Sequence, residues 1–127
     1  MPHTLRRPAL LTALFAFALL ITAATQGAKF PIGLFKANDG TNNISLDFDS
    51  AGVITAYVNG ETFSSGTYQT KGDTLLSGPV TGPEGYSCAG SAKYLWSFAE
   101  NRLTMTLISD ECQVRIDAFT GLAWMKG

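Results

Sequence analysis

The chain has a single histidine, His3, and it lies in the N-terminal leader, so the remainder has no imidazole for general acid–base catalysis or for a histidine metal site. That removes most hydrolase and zinc mechanisms. There are only two cysteines, Cys88 and Cys112. Their spacing is far from Cys-x-x-Cys, and Cys88 has no helix N-terminus to activate it, which argues against redox catalysis. Clustered Lys and Arg are missing too. Beyond the leader, Lys29, Lys36, Lys71, Lys93, Arg102, Arg115 and Lys126 are scattered among more numerous acidic residues. No nucleic-acid footprint results.

One long uncharged run is present, over residues 9–24, behind Arg6 and Arg7. This is the form of a secretory signal peptide, expected to span residues 1–27 and to be cleaved among residues 24–27, leaving one domain over residues 28–127. A membrane anchor would ask for about 20 apolar residues. The expected location is therefore exported, periplasmic or extracellular, with no membrane association after cleavage. In that oxidising setting two cysteines read as one disulfide, Cys88–Cys112.

The rest of the chain is punctuated for short strands. Residues 30–36 are apolar but contain Pro31 and Gly33, which suits an irregular first strand or a barrel plug. In the next strand Ile44, Leu46 and Phe48 alternate with Ser45, Asp47 and Asp49, giving one buried and one wet face. Residues 53–58 are strand-like, and Asn59-Gly60 predicts a type I′ hairpin. A return strand over residues 62–70 carries Gly66 as a bulge, a turn at residues 71–73 leads into a short strand over 74–76, and residues 77–92 read as irregular. Tyr94, Trp96 and Phe98 share one face of the next strand, and Leu103, Met105 and Leu107 one face of the one after it. Asp110 and Gln113 have capping-box spacing for a short helix, with Cys112, Ile116 and Phe119 on its buried side and Gly121 at its end. Residues 122–126 close the chain. The expected fold is all-β: a small antiparallel up-and-down barrel of about eight strands, with one short helix before the last strand.

The landmarks Phe48-Asp49-Ser50-Ala51-Gly52, Gly66-x-Tyr68, Lys93-Tyr94-x-Trp96, Leu103-x-Met105 and Asp110-x-Cys112-x-x-Arg115 before Trp124 together resemble the small exported lipocalin-like domains of bacteria. The resemblance spans nearly all of residues 28–127 and implies a calycin-type barrel around an apolar ligand site; most such proteins have no established activity. The chain departs from larger lipocalins in carrying Gly33-Leu34-Phe35 where they carry Gly-x-Trp, and in being much shorter.

The expected role is a non-enzymatic barrel that binds a small apolar ligand or acts as an interaction module toward a protein partner. Its candidate ligand residues are Phe48, Tyr94, Trp96, Phe98 and Arg115. The aromatic residues could equally be barrel filling, and Arg115 could stack on Phe35 or Trp124 or pair with an acidic neighbour. No cofactor or metal is expected. Residues 38–42 lack the spaced acids of a calcium loop and read as a turn. Asp47 and Asp49, two apart on a strand, are the nearest thing to a glycosidase pair, but solvent-facing carboxylates are the commoner case. The alternative function is inhibition of a lysozyme-like enzyme. Cys88-Ala89-Gly90-Ser91-Ala92-Lys93-Tyr94 is similar to the Ser-Gly-x-x-Tyr loop of membrane-bound C-type lysozyme inhibitors, with Gly and Ser reversed. That role would set Ser91 and Lys93 against a partner's carboxylates and would turn Tyr94 outward.

Overall fold

The structure, a computed structural model, describes residues 29–127; the expected signal segment, residues 1–27, lies outside the described residues. Eight strands form a closed antiparallel barrel in sequence order: β1 (Gly33–Asn38), β2 (Asn43–Phe48), β3 (Val53–Val58), β4 (Glu61–Lys71), β5 (Thr74–Thr81), β6 (Ala92–Ala99), β7 (Arg102–Ser109) and β8 (Trp124–Lys126). One helix, α1 (Gln113–Gly121), crosses between β7 and β8. This is the architecture expected from the alternating strands and frequent turn signals.

Turn chemistry sets the register. Asn59 and Gly60 both adopt positive φ, 52° and 86°, so β3 and β4 join through the tight hairpin that Asn-Gly favours. Glu100 and Asn101 do the same between β6 and β7, at 51° and 66°, although a glutamate has no special tolerance for that region. The bulge expected at Gly66 is present as a register shift between Gly66 and Tyr68. A Cβ at Gly66 would come within 2.8 Å of the Pro79 carbonyl oxygen, so only glycine permits this approach of β4 and β5.

Three readings of the sequence need correction. First, β5 continues to Thr81, five residues beyond the expected end at Leu76. Gly78 and Pro79 had marked a loop. The register passes from Tyr68↔Ser77 to Gly66↔Val80, and β6 stops pairing at Ser77, so the missing proline N–H falls where no ladder bond is required. Second, Asp110 does not cap the helix through a capping box. Cys112 occupies the N-cap with no side-chain cap bond, and Gln113 donates to Asp117 Oδ1 at 2.7 Å instead. Gly121 is the last helical residue and is followed by extended Leu122, so it is not the left-handed stop expected there. Third, Leu107 is 42% exposed although Leu103 and Met105 on the same alternation are buried and although it pairs with buried Tyr94; the register shifts just beyond it, at Lys93/Tyr94.

The barrel interior has two unlike halves. At the end where β2–β3, β4–β5 and β6–β7 turn, Phe30 enters from before β1 and plugs the barrel. Its ring sits 4.9 Å from Phe48, 5.7 Å from Tyr68 and 5.3 Å from Trp96, in edge-on or tilted contacts. Residues 30–36 thus supply both of the expected roles, plug and first strand. Polar tips find partners at the rim: Tyr68 OH donates to the Asp49 carbonyl at 2.5 Å, and Trp96 Nε1 to the Gly72 carbonyl at 3.0 Å. An eight-stranded barrel is just wide enough for its own side chains to fill. With aromatic rings at this end, it is filled.

Candidate functional site

At the opposite end the inward-facing residues are small. Ala56 on β3, Ser64 and Gly66 on β4, and Ala118 on α1 face one another where the plugged end carries rings, and a cavity of about 270 Å³ is left among them. Leu46, Ile54 and Trp124 line it with aliphatic or aromatic surface, Phe119 comes from the helix, and Phe63 and Tyr86 stand at its mouth. Its size is near the lower end for small-molecule sites, about 300 Å³.

The helix over this cavity has little intrinsic reason to sit there. Its apolar residues form no coherent stripe, and its first turn carries no acidic residue to complement the dipole. Tertiary bonds hold it. Arg115, 4% exposed, forms a two-pronged pair with Asp110, Nε to Oδ2 at 2.7 Å and Nη2 to Oδ1 at 2.8 Å. Its Nη1 also donates to the Gly78 carbonyl at 2.9 Å and to Ser77 Oγ at 3.3 Å, and Nη2 to the Gly90 carbonyl at 3.1 Å. One guanidinium therefore ties α1 to β5 and to the loop of residues 82–91. It also sets the rotation of the helix. The buried residues are Arg115 and Phe119, and Cys112 and Ile116 are only partly covered, unlike the expected Cys112, Ile116, Phe119 stripe.

Asp110 is the hub of the arrangement. Its Oδ1 also accepts the Cys112 N–H at 2.8 Å, and Oδ2 accepts Tyr94 OH at 2.5 Å. Burial alone would raise its pKa, but the bonds from Arg115, Tyr94 and the Cys112 amide outweigh that and hold it down to about 2. Tyr94 moves the other way, its phenol held well above the ordinary value by burial and by the bond to the Asp110 carboxylate. Among the described residues no buried side-chain polar atom lacks a partner.

The Cys88–Cys112 disulfide is formed, as expected from the two cysteines. It fastens the start of α1 to the 82–91 loop, and Cys88 itself reaches the cavity wall. Backbone bonds between Val80 and Cys88, 2.8 Å in each direction, seat that loop on β5.

Of the expected ligand residues, Arg115 reaches the cavity lining, but its guanidinium is occupied by Asp110 rather than stacked on Phe35 or Trp124. The cation lying over Phe35 is Lys126, 4.9 Å from the ring centre. Phe48 and Trp96 belong to the aromatic plug, Tyr94 is packed against Phe119 with ring centres 5.0 Å apart, and Phe98 is 38% exposed on the closed rim. None of these four lines the cavity. The residues that do were missed because they are small, and alternation identifies which side chains face inward without saying where they fail to meet. A run of small inward residues, Ala56 then Ser64 and Gly66 on the adjoining strand, was the available signal.

The remaining candidates are turn residues. Asp49 Oδ1 accepts the N–H groups of Ala51 and Val53 at 2.9 and 2.8 Å, shaping the β2–β3 turn. Asp39 Oδ1 accepts those of Thr41 and Asn42 at 2.9 and 2.6 Å in the β1–β2 turn. Ser91 and Lys93 are exposed, while Tyr94 between β5 and β7 is fully buried. No group of three or more His, Cys, Asp or Glu among the described residues is arranged to hold a metal, and no described helix is long and apolar enough to cross a membrane.

The eight-stranded antiparallel barrel and its disulfide fit a small lipocalin-like domain. No protein-family model, no curated protein and no solved structure matches the chain, so the reading of this site rests on its geometry.

Proposed function

We propose that this protein is an exported, non-enzymatic barrel of the calycin type that holds a small apolar molecule in the cavity beneath α1. The observation that carries the proposal is the cavity itself: about 270 Å³, largely apolar, and placed at the end of the barrel opposite the Phe30 plug. The disulfide suits an oxidising compartment and supports export. The inhibitor alternative requires Tyr94 on an exposed loop. Its burial against Phe119, with its hydroxyl on Asp110, favours the carrier reading.

Native mass spectrometry of protein recovered from the exported fraction tests both parts. The chain is expected to start among residues 25–28 and to retain a small apolar ligand. Filling the cavity with Ala56→Phe should weaken binding of an apolar dye such as N-phenyl-1-naphthylamine by tenfold or more, which corresponds to ~1.4 kcal/mol. Equal dye binding by a folded Ala56→Phe variant would place the ligand elsewhere.

A further inference from the structure

We propose that the cavity selects apolar molecules bearing a cationic amine, with the hydrocarbon inside and the ammonium held at the rim beside Asp39. The inference rests on reading the cavity as the ligand site and adds the chemical class that the site accepts.

The cavity supplies the apolar half of that preference. Charge at its mouth supplies the other. The up-and-down topology brings the β1–β2, β3–β4 and β5–β6 loops, the β7–α1 connection and α1 to one end of the barrel, and they contribute the acidic side chains Asp39, Glu61, Glu84, Glu111 and Asp117, of which Asp39 lines the cavity. All are exposed. Among the described residues the only cation in the cavity lining is Arg115, and Asp110 neutralises it. Lys71 and Arg102 flank turns at the plugged end, where Lys126 also sits, bonded to the Ile32 carbonyl. Lys36 on β1 and Lys93 on β6 are exposed and, like Glu61, Glu84, Glu111 and Asp117, lie outside the lining residues, so acidic side chains outnumber basic ones at this end and Asp39 is the carboxylate in the lining. A carboxylate-bearing ligand entering head-out would therefore meet a field of its own sign, and an amine one of opposite sign.

Asp39 is placed to act on the head group directly. It lines the cavity, and its Oδ1 is fixed by the Thr41 and Asn42 amides while Oδ2 takes no part in that turn. Those amide bonds also keep the carboxyl below its ordinary pKa, so it is ionised throughout the neutral range. The rim around it is preorganised. Asn59 Nδ2 donates to Asn42 Oδ1 at 2.9 Å and the Asn43 amide to Asn59 Oδ1 at 3.0 Å, which locks the β1–β2 loop to the β3–β4 hairpin.

The test is a matched series of octylamine, octanol and octanoate, each displacing N-phenyl-1-naphthylamine from the disulfide-bonded barrel at neutral pH and low salt. Octylamine should bind at least tenfold more tightly than octanoate, with octanol between them, and added salt should shrink the spread because exposed charges are screened. Asp39→Asn keeps the Oδ1 acceptor that the turn needs and should narrow the gap between amine and alcohol by about two- to fivefold, the effect of one exposed charge. Octanoate or octanol binding as tightly as octylamine would overturn the amine preference and leave the carrier reading standing. Failure of the dye and all three ligands to bind would overturn both.

Discussion

Arg115→Ala is expected to lower the melting temperature by at least about 12 °C, the largest effect of any single substitution considered. Removing one partner of a buried ion pair costs about 3–5 kcal/mol, because the other charge is left in the interior without compensation. A domain of this size shifts by about 4–8 °C per kcal/mol. Here the loss would strand Asp110 together with the Ser77, Gly78 and Gly90 acceptors. Arg115→Lys should not rescue it, since an ammonium cannot reproduce a two-pronged bond to one carboxylate. The difference between wild type and Arg115→Ala has a predictable acid limb. The folded pKa of Asp110 lies below its ordinary 3.8, so the stability from the pair is fully present above about pH 4 and is lost as the pH falls through about 2. The two melting curves should converge over that window. Thermal melts across pH 2–7 check both statements, and a variant melting within about 3 °C of wild type at pH 7 would deny the ion pair its role.

Replacing both Cys88 and Cys112 by serine should cost a comparable amount. For cysteines separated by 24 positions the chain-entropy model gives about 3.5 kcal/mol, a large part of the ~5–15 kcal/mol that such domains possess. The sheet should survive, because the Val80↔Cys88 backbone bridge and the eight-strand ladder do not depend on the sulfur atoms. The cavity should not remain intact, since both the loop bearing Tyr86 and the start of α1 lose their common tether. The expected result is an unchanged far-ultraviolet dichroism spectrum, a melting temperature lowered by about 14 °C or more, and weakened dye binding. Two titratable thiols in the native protein would refute the pairing outright.

Much of the architecture was legible because it is written in short-range terms. Alternation at Ile44, Leu46 and Phe48 states which face is buried, and Asn59-Gly60 states how the chain reverses. The errors came where a long-range bond overrules a local preference. Gly78 and Pro79 look like a loop until their neighbours in β4 are seen to skip them, and Asp110 looks like a helix cap until Arg115, five residues on, claims its carboxylate. The candidate site was harder to read for a related reason. Aromatic residues draw attention in a sequence, but Phe48 and Trp96 belong to the end that is full, and the space lies where Ala56, Ser64 and Gly66 leave the interior underfilled. Arg115 was singled out as a ligand residue and also read as a partner for an acidic neighbour; the pair with Asp110 is formed, and with its other bonds it makes Arg115 an internal tie.

The closure of the ring bears on how the protein folds. Every strand from β1 to β7 pairs with its successor in sequence, so each pairing needs only a local connection to be ordered, the longest being the 82–91 loop and the α1 crossing. β8 is different. It is three residues long and holds two register pairs on each side, Phe35↔Lys126 and Lys36↔Met125 toward β1, Arg102↔Met125 and Leu103↔Trp124 toward β7. Joining β1 to β8 closes a loop of nearly the whole described chain, with an entropic penalty that grows as (3/2)RT ln n and reaches about 4 kcal/mol at ~90 residues in the length-dependent part alone. Few ladder bonds are available there to offset it. Much of the compensation must come from Trp124, whose side chain is fully buried and whose Nε1 bonds the Ala118 carbonyl at 3.0 Å. Closure of the seam is thus expected late on the folding path, secured by one indole more than by a strand.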